Sequence, residues 1–97
     1  MTDRPARRGW TAYVEEVPAQ VMAGMPPALS TAVTNFIVAL AIEAGAAIDA
    51  GKQPPGDLVD YHGARYLLHV PGEPVLLEYV AYPALRELRI PRLVWFH

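Results

Sequence analysis

The side chains that could take part in chemistry are concentrated in the last third of this 97-residue chain. Arginine can neutralise the negative charge that develops at a phosphate, and histidine can act as an acid or base near neutral pH. Surface arginines also commonly form ion pairs with carboxylates on neighbouring strands, so a structural role is the alternative. The candidate catalytic residues are Arg65, Arg86, Arg89, Arg92 and His97.

Three tyrosines of the same region could hold unpaired RNA, because aromatic rings stack on bases that are not in a duplex. These candidate RNA-binding residues are Tyr66, Tyr79 and Tyr82. Each lies in a stretch that is typical of a β-strand, where tyrosines also serve as core or rim residues. The sequence leaves both roles open.

No metal site and no cofactor are predicted. Cysteine is absent, which excludes thiolate ligands, disulfide bonds and catalysis by a thiol. The three histidines, at positions 62, 69 and 97, match no metal-binding spacing. With neither a disulfide framework nor a secretory signal, the cytoplasm is the expected location.

Charge is distributed unevenly along the chain. Residues 1–9 contain three arginines and are predicted to form a flexible basic arm ahead of a single domain at residues 10–97. Residues 10–64 contain six acidic residues and one lysine. Such a surface is unfavourable for gripping phosphates, so this part of the chain is not expected to bind nucleic acid.

The carboxyl-terminal residues predict a three-strand antiparallel meander. Apolar and aromatic residues occupy positions 64–70, 75–82 and 86–96, and the turn between the first two runs has the sequence Pro-Gly-Glu-Pro. Gly72 in this turn is expected to adopt a positive φ. Pro91 cannot donate a hydrogen bond to a neighbouring strand and therefore predicts an edge strand or a bulge.

The preceding part of the chain predicts a strand at 10–16, a short helix that starts at Pro18, and a long helix at 28–50. The long helix is apolar almost all round, which would also suit a membrane span. Polar residues interrupt it before the roughly 20 apolar residues that a bilayer needs, so no membrane insertion is predicted. Burial on two sides is expected instead, with a homo- or hetero-oligomer covering the surplus apolar surface.

These elements predict an α+β domain of order β-α-α-β-β-β. Its four-stranded, mostly antiparallel sheet should carry a short and a long helix on one face. Both faces of the meander are largely apolar, because residues 65–70 are apolar or aromatic at most positions. A binding partner over the second face is therefore expected.

A long helix followed by Gly-Ala-Arg-Tyr-Leu-Leu-His-Val-Pro-Gly at residues 63–72 and a terminal meander resembles the RelE/ParE superfamily of small bacterial toxins. The similarity covers residues 10–96. It implies a RelE-like fold and the toxin role in a type II toxin–antitoxin pair, with a cognate antitoxin as partner. Ribonucleases of this superfamily act on mRNA in the ribosome, whereas the ParE branch poisons gyrase.

Val75 stands where the ribonucleases of this superfamily usually place an arginine. The resemblance therefore leaves Arg65 and the arginines of the last strand to supply any charge for mRNA cleavage. Two further functions stay open. One is a non-enzymatic protein-interaction domain on the same scaffold, and the other is a small-molecule pocket between helix and sheet.

Overall fold

A computed structural model describes residues 9–60 and 62–97. The predicted basic arm therefore lies, except for Gly9, outside the described residues. In chain order the elements are β1 (Thr11–Val14), α1 (Glu16–Ala23), α2 (Pro27–Asp49), β2 (Asp57–Asp60), β3 (Arg65–His69), β4 (Val75–Tyr82), a short 3₁₀ turn (Pro83–Leu85) and β5 (Glu87–Trp95).

The strands form one mixed sheet in the order β1-β5-β4-β3-β2. β1 runs parallel to β5, and every other neighbouring pair is antiparallel. The predicted α+β class with two helices is confirmed, but the sheet has five strands instead of four. The additional strand is β2, which lies between the long helix and the predicted meander, where no strand was predicted. Its sequence, Asp-Leu-Val-Asp, has an acidic residue at each end and only two apolar positions, so it carries little strand signal.

Helix α2 begins and ends within one residue of its predicted bounds. Pro27 occupies its first turn, where a backbone N–H would have no acceptor within the helix, so the N–H that proline lacks costs no hydrogen bond. Gly51, with φ +71°, follows its last turn, and the N–H of Lys52 donates to the carbonyl of Ala47 at 2.8 Å. This reversed turn satisfies carbonyls that the end of the helix would otherwise leave unpaired.

The apolar core lies between the helices and one face of the sheet, which we call the helix-side face. Alternate residues of β4, namely Val75, Leu77 and Tyr79, are fully buried on this face. These side chains pack in one core with the buried stripe of α2, which includes Val33 and Ile37. The opposite side of the sheet, the outer face, contributes no residue to this core.

A bulge in β5 changes which side chains share a face. Along β4 the pairing moves from Glu78 to Val80, whereas along β5 it moves from Arg92 to Arg89. Two residues of β5, the second of which is Pro91, therefore lie opposite the single residue between Glu78 and Val80. The prediction of an edge strand or bulge at Pro91 is confirmed as a bulge. It places Arg89 and Arg92 on the same face.

Helix α2 is long and apolar enough to cross a membrane by length and composition, although a third (33%) of its most apolar window is buried within the domain. The core helix of a globular domain meets the same criteria. Here six residues of α2 are buried within the domain, and five of them belong to the apolar core, so the apolar stripe of the helix packs against protein.

Replacing Gly72 with valine is expected to destabilise the domain by about 1 kcal/mol or more, because β-branched residues are strained in left-handed backbone. Gly72 has φ +78°, as predicted, and the space around it is open, so backbone strain is the whole effect. Thermal denaturation would measure the loss. Gly24→Ala is the matched control, since Gly24 has φ −85° and should tolerate a side chain. Equal melting temperatures for Gly72→Val and wild type would contradict the expectation.

Candidate site on the outer face of the sheet

The outer face presents side chains from four neighbouring strands, and none of them belongs to the buried core. Strand pairing places the side chains that alternate with the core residues together on this face. They are Tyr13 from β1; Glu87, Arg89, Arg92 and Val94 from β5; Leu76, Glu78, Val80 and Tyr82 from β4; and Arg65, Leu67 and His69 from β3.

Glu78 lies at the centre of this face, between two arginines from neighbouring strands. One of its oxygens accepts a hydrogen bond from Arg65 at 3.0 Å, and the other lies 3.5 Å from Arg92. The side chain of Glu78 is 15% exposed, whereas those of Arg65 and Arg92 are 37% and 67% exposed. One carboxylate is thus shared by two guanidinium groups that still face solvent. From the sequence, carboxylates on neighbouring strands were expected only as general ion-pair partners of these arginines, and no shared carboxylate was predicted.

Arg89 occupies the other end of the outer face, between two tyrosines. Its Nε donates to Glu87 at 2.7 Å, and its guanidinium lies 5.0 Å from the ring centre of Tyr82 and 5.9 Å from that of Tyr13. The hydrogen bond to Glu87, together with the charge of the same carboxylate, raises the pKa of Arg89 above its ordinary value. Arg89 therefore stays charged and acts as a bridge between two exposed aromatic rings.

Arg86 does not join the other three arginines. Its backbone is left-handed (φ 51°, ψ 53°), so it ends the 3₁₀ turn before β5 begins. Its guanidinium forms two hydrogen bonds with Asp49 at the end of α2, at 3.0 and 2.9 Å, and lies 5.5 Å from the ring centre of Trp10. Arg86 thus ties the β4–β5 connection to the end of α2, and this position gives its predicted catalytic role no support.

His97 follows the end of β5, and its ring stacks on Trp95 with ring centres 3.9 Å apart. Its Nδ1 lies 3.1 Å from the Trp95 carbonyl oxygen. Trp95 packs against the core on the helix-side face. The contacts of His97 are thus with β5 itself, and they do not bring its ring to the shared carboxylate of Glu78, so its predicted role as acid or base receives no support.

Two of the three predicted RNA-binding tyrosines point toward the helices. Tyr66 and Tyr79 stack on each other with ring centres 5.3 Å apart, and Tyr79 is completely buried. The Tyr79 hydroxyl donates to the carbonyl of Pro55 at 2.6 Å. Burial, followed by the neighbouring Tyr66 and Glu43, raises the pKa of Tyr79 above its ordinary value, which keeps the hydroxyl a neutral donor. Tyr79 is therefore a core residue and has no surface with which to stack on a base.

Tyr82 is the predicted tyrosine that does lie on the outer face, with 40% of its surface exposed. Tyr13, which sequence analysis did not single out, is 56% exposed beside it. The signal that could have found Tyr13 is the alternation along β1, since Ala12 and Val14 face the core and Tyr13 must then face outward. Pairing of β1 with β5 brings it next to Arg89.

Next to Glu78 and Arg92, three aliphatic side chains form a shallow apolar depression of about 160 Å³. They are Leu67, Leu76 and Val94, from three neighbouring strands. We call this surface the outer-face patch. It combines an apolar centre with a charged border, which is the usual arrangement of a protein-binding surface.

Two open grooves lie on the helix side of the sheet. One, of about 440 Å³, runs between α2 and β1. The other, of about 480 Å³, lies between the end of α2 and the Tyr66 side of β3. They give the predicted small-molecule pocket two possible locations, although neither contains a cluster of charged groups. In the described parts of the chain, no group of three histidine or carboxylate side chains is placed to hold a metal ion.

The sequence matches no protein-family model, and searches for similar curated proteins and similar solved structures found no significant match. The class of protein therefore follows from the fold and the site alone. They define an α+β domain whose mixed sheet is covered by helices on one face. The other face presents paired charges, two exposed tyrosines and an apolar patch.

Proposed function

We propose that this chain is a protein-interaction domain that binds a partner polypeptide over the outer face of its sheet. The observation that carries the proposal is the outer-face patch, a partly exposed apolar depression formed by the three central strands of the sheet. A contiguous apolar depression with a polar border, on a sheet face that no helix covers, has the composition of a binding surface. Arg92 borders the patch, and Tyr13 and Tyr82 lie at the other end of the same face. Both residue types are enriched at the centres of protein interfaces.

The charges on this face favour a protein partner over RNA. Arg65, Arg89 and Arg92 are each engaged by a carboxylate, from Glu78 or Glu87. Phosphate binding requires cations in excess, because it is the release of counterions from the phosphates that drives association. A face whose arginines are already paired offers little such excess. It does suit a polypeptide that places apolar side chains on the patch and polar groups on its charged border.

The resemblance to RelE/ParE toxins supplies a candidate for the partner, namely a cognate antitoxin encoded by an adjacent short gene. A toxin-type component needs a partner that covers an exposed surface until the toxin is released. The exposed tyrosines and the apolar patch support this assignment of the surface, and the partner itself is part of the proposal.

Leu76→Lys is expected to weaken binding of the adjacent gene's product about thirtyfold or more, because burying an unpaired charge at an interface centre removes at least ~2 kcal/mol. Leu76 is partly exposed, so the domain should fold normally. Co-expression followed by calorimetry would measure the affinity. Ala46→Lys, at an exposed position of α2 on the other side of the domain, is the matched control. Equal affinity for both variants and wild type would remove the outer-face patch from the interface.

A second candidate function, mRNA cleavage, is favoured by one specific observation. The β5 bulge brings Arg89 and Arg92 onto the same open face as Arg65, with the Glu78 carboxylate between two of the three. A carboxylate can accept the proton of a 2′-hydroxyl, and guanidinium groups can stabilise the charged phosphorane. Induced expression of the wild-type chain in a bacterial host tests this candidate first: cleavage predicts arrest of growth and of protein synthesis, and normal growth excludes it.

A further inference from the structure

β1 forms one edge of the sheet, and its outward peptide groups are unpaired in the described structure. The N–H groups of Thr11 and Glu15 donate to Arg86 and Ile90 at 3.1 Å, so they point toward β5. In a strand the intervening residues, Ala12 and Val14, direct their N–H and carbonyl groups the other way. Exposed strand edges of this kind are templates for pairing with another chain.

The two edges of the sheet differ in how well they are protected. The opposite edge, β2, has an aspartate at each end and a register irregularity between Leu58 and Asp60. Charges and bulges of this sort discourage edge-to-edge pairing. β1 has the sequence Thr-Ala-Tyr-Val, with neither a charge nor a proline. β1 is therefore the edge that favours association.

An apolar ridge of α2 lies beside this edge. The groove between α2 and β1 is lined by Ala12 and Val14 on one side and by Val38 and Ile42 on the other. Val38 and Ile42 are 57% and 67% exposed, which is unusual for consecutive positions on one helical stripe of a core helix. If a strand of a second molecule paired with β1, the surface of that second molecule would contact this ridge.

A second copy of this chain fits the β1 edge and the α2 ridge at the same time. A two-fold axis perpendicular to the sheet pairs identical edge strands antiparallel and keeps the α2 helices of both copies on the same side of the sheet. Parallel pairing of two identical edges would instead place the two helices on opposite sides. Antiparallel pairing is therefore the arrangement in which each copy offers the other both its β1 edge and its apolar ridge.

We propose that two copies of this chain associate through antiparallel pairing of their β1 strands about a two-fold axis beside Tyr13. Ala12 of each copy lies opposite Val14 of the other, because these residues carry the outward peptide groups and must form the hydrogen-bonded pairs. Tyr13 then lies opposite the Tyr13 of the second copy in a non-hydrogen-bonded pair. The two five-stranded sheets become one continuous sheet of ten strands.

This arrangement also covers the α2 ridge. Helix α2 packs over β1 and β5, and neighbouring strands are about 4.8 Å apart, so the two α2 axes come within about 10 Å of each other. That separation is typical of packed helices. Val38 and Ile42 of the two copies then bury one another. The outer-face patch lies on the other side of the sheet and contains no residue of β1, so it stays available to a partner in the dimer, and Tyr13 is the residue that lies both on the outer face and at the dimer axis.

The absence of cysteine allows a direct test of the register. In Tyr13→Cys, the two introduced thiols lie opposite each other across the axis, where non-hydrogen-bonded Cα atoms are about 4.5 Å apart and a disulfide can form. Under mild oxidation this variant should form covalent dimers at least roughly tenfold faster than a variant whose cysteines meet only by random collision. The reason is that strand pairing raises the effective concentration of one thiol near the other.

Val59→Cys is the matched control, because Val59 is 48% exposed on the opposite edge strand. Thr11→Cys tests the register, since Thr11 lies opposite Glu15 and should form dimers no faster than the control. Crosslinking of Tyr13→Cys at the Val59→Cys rate would overturn the proposal. So would preferential crosslinking of Thr11→Cys, which would require a different pairing.

Sedimentation of the unmodified chain provides a test without cysteine. Wild type should show a concentration-dependent dimer, and Ile42→Lys should shift it to monomer while leaving the far-UV circular dichroism unchanged, since Ile42 is largely exposed. Leu76→Lys should sediment as wild type does, which separates this interface from the outer-face patch. A wild-type chain that stays monomeric at high concentration would overturn the proposal irrespective of partner binding.

Discussion

Gly45→Ala is expected to lower the free energy of unfolding by about 1–3 kcal/mol, the usual effect of adding a methyl group to a packed site. This result would be the reverse of the helix-propensity effect, since alanine is favoured over glycine in a helix interior by about 1 kcal/mol. The structure supplies the reason. A Cβ at position 45 would lie 2.7 Å from the Cβ of Trp10, and closer still to its indole ring.

Trp10 has little freedom to move away from such a methyl group. Its indole N–H donates to the carboxylate of Asp49, with distances of 3.2 and 3.3 Å to the two oxygens, and Asp49 is itself held by Arg86. The chain enters β1 immediately after Trp10, so its backbone is also constrained. Relief of the clash therefore requires either loss of these contacts or displacement of β1 from α2.

Urea denaturation of four proteins would measure the effect: wild type, Gly45→Ala, Trp10→Ala and the double variant. The loss caused by Gly45→Ala should shrink in the Trp10→Ala background, because most of the clashing atoms leave with the indole. Ala46→Gly, at an exposed neighbouring position, measures the difference in helix propensity between alanine and glycine in the same helix without the packing effect. A higher denaturation midpoint for Gly45→Ala than for wild type would contradict the packing argument.

Arg65→Ala is expected to reduce any RNA cleavage by this domain by a factor of roughly 10²–10³, the typical effect of losing one preorganised charge at a developing oxyanion. Arg65 is the cation in closest contact with the shared carboxylate of Glu78. Its side chain is 37% exposed, and ion pairs that are open to solvent add little stability, so the variant should fold normally.

The measurement is growth arrest after induced expression, together with RNA cleavage in a translating extract. Lys52→Ala removes an exposed cation that lies outside the outer face and is the matched control. Loss of arrest in Arg65→Ala, but not in Lys52→Ala, would support cleavage on the outer face. Equal arrest by wild type and Arg65→Ala would show that toxicity arises from binding to a target.

The elements with strong local signals could be predicted from the chain itself. Alternating apolar residues marked β1, β3, β4 and β5, and flanking proline and glycine marked both ends of α2. The positive φ of Gly72 and the irregularity at Pro91 follow from what these residues can and cannot do in the backbone. β2 was not predicted, because a four-residue edge strand with an aspartate at each end contains too few apolar residues to show an alternating pattern.

The roles of individual side chains depended on contacts between distant segments. Sequence alternation placed Tyr79 on a strand, but only the position of α2 shows that its face is the buried one. Strict alternation along the last strand puts Arg86 and Arg92 on one face and Arg89 on the other, unless Pro91 shifts the register. The left-handed backbone at Arg86 and the bulge at Pro91 then separated Arg86 from Arg89 and Arg92.

By itself, the sequence determined the class of fold, because periodicity and backbone-restricting residues act over a few neighbours. It also determined that thiol chemistry is absent, since there is no cysteine to perform it. Only the tertiary structure shows that Arg65 and Arg92 share Glu78. Only the tertiary structure shows that the missing side chain of Gly45 leaves room for Trp10. The residues of each of these pairs are 13 to 35 positions apart along the chain, and only strand pairing and helix packing bring such residues into contact.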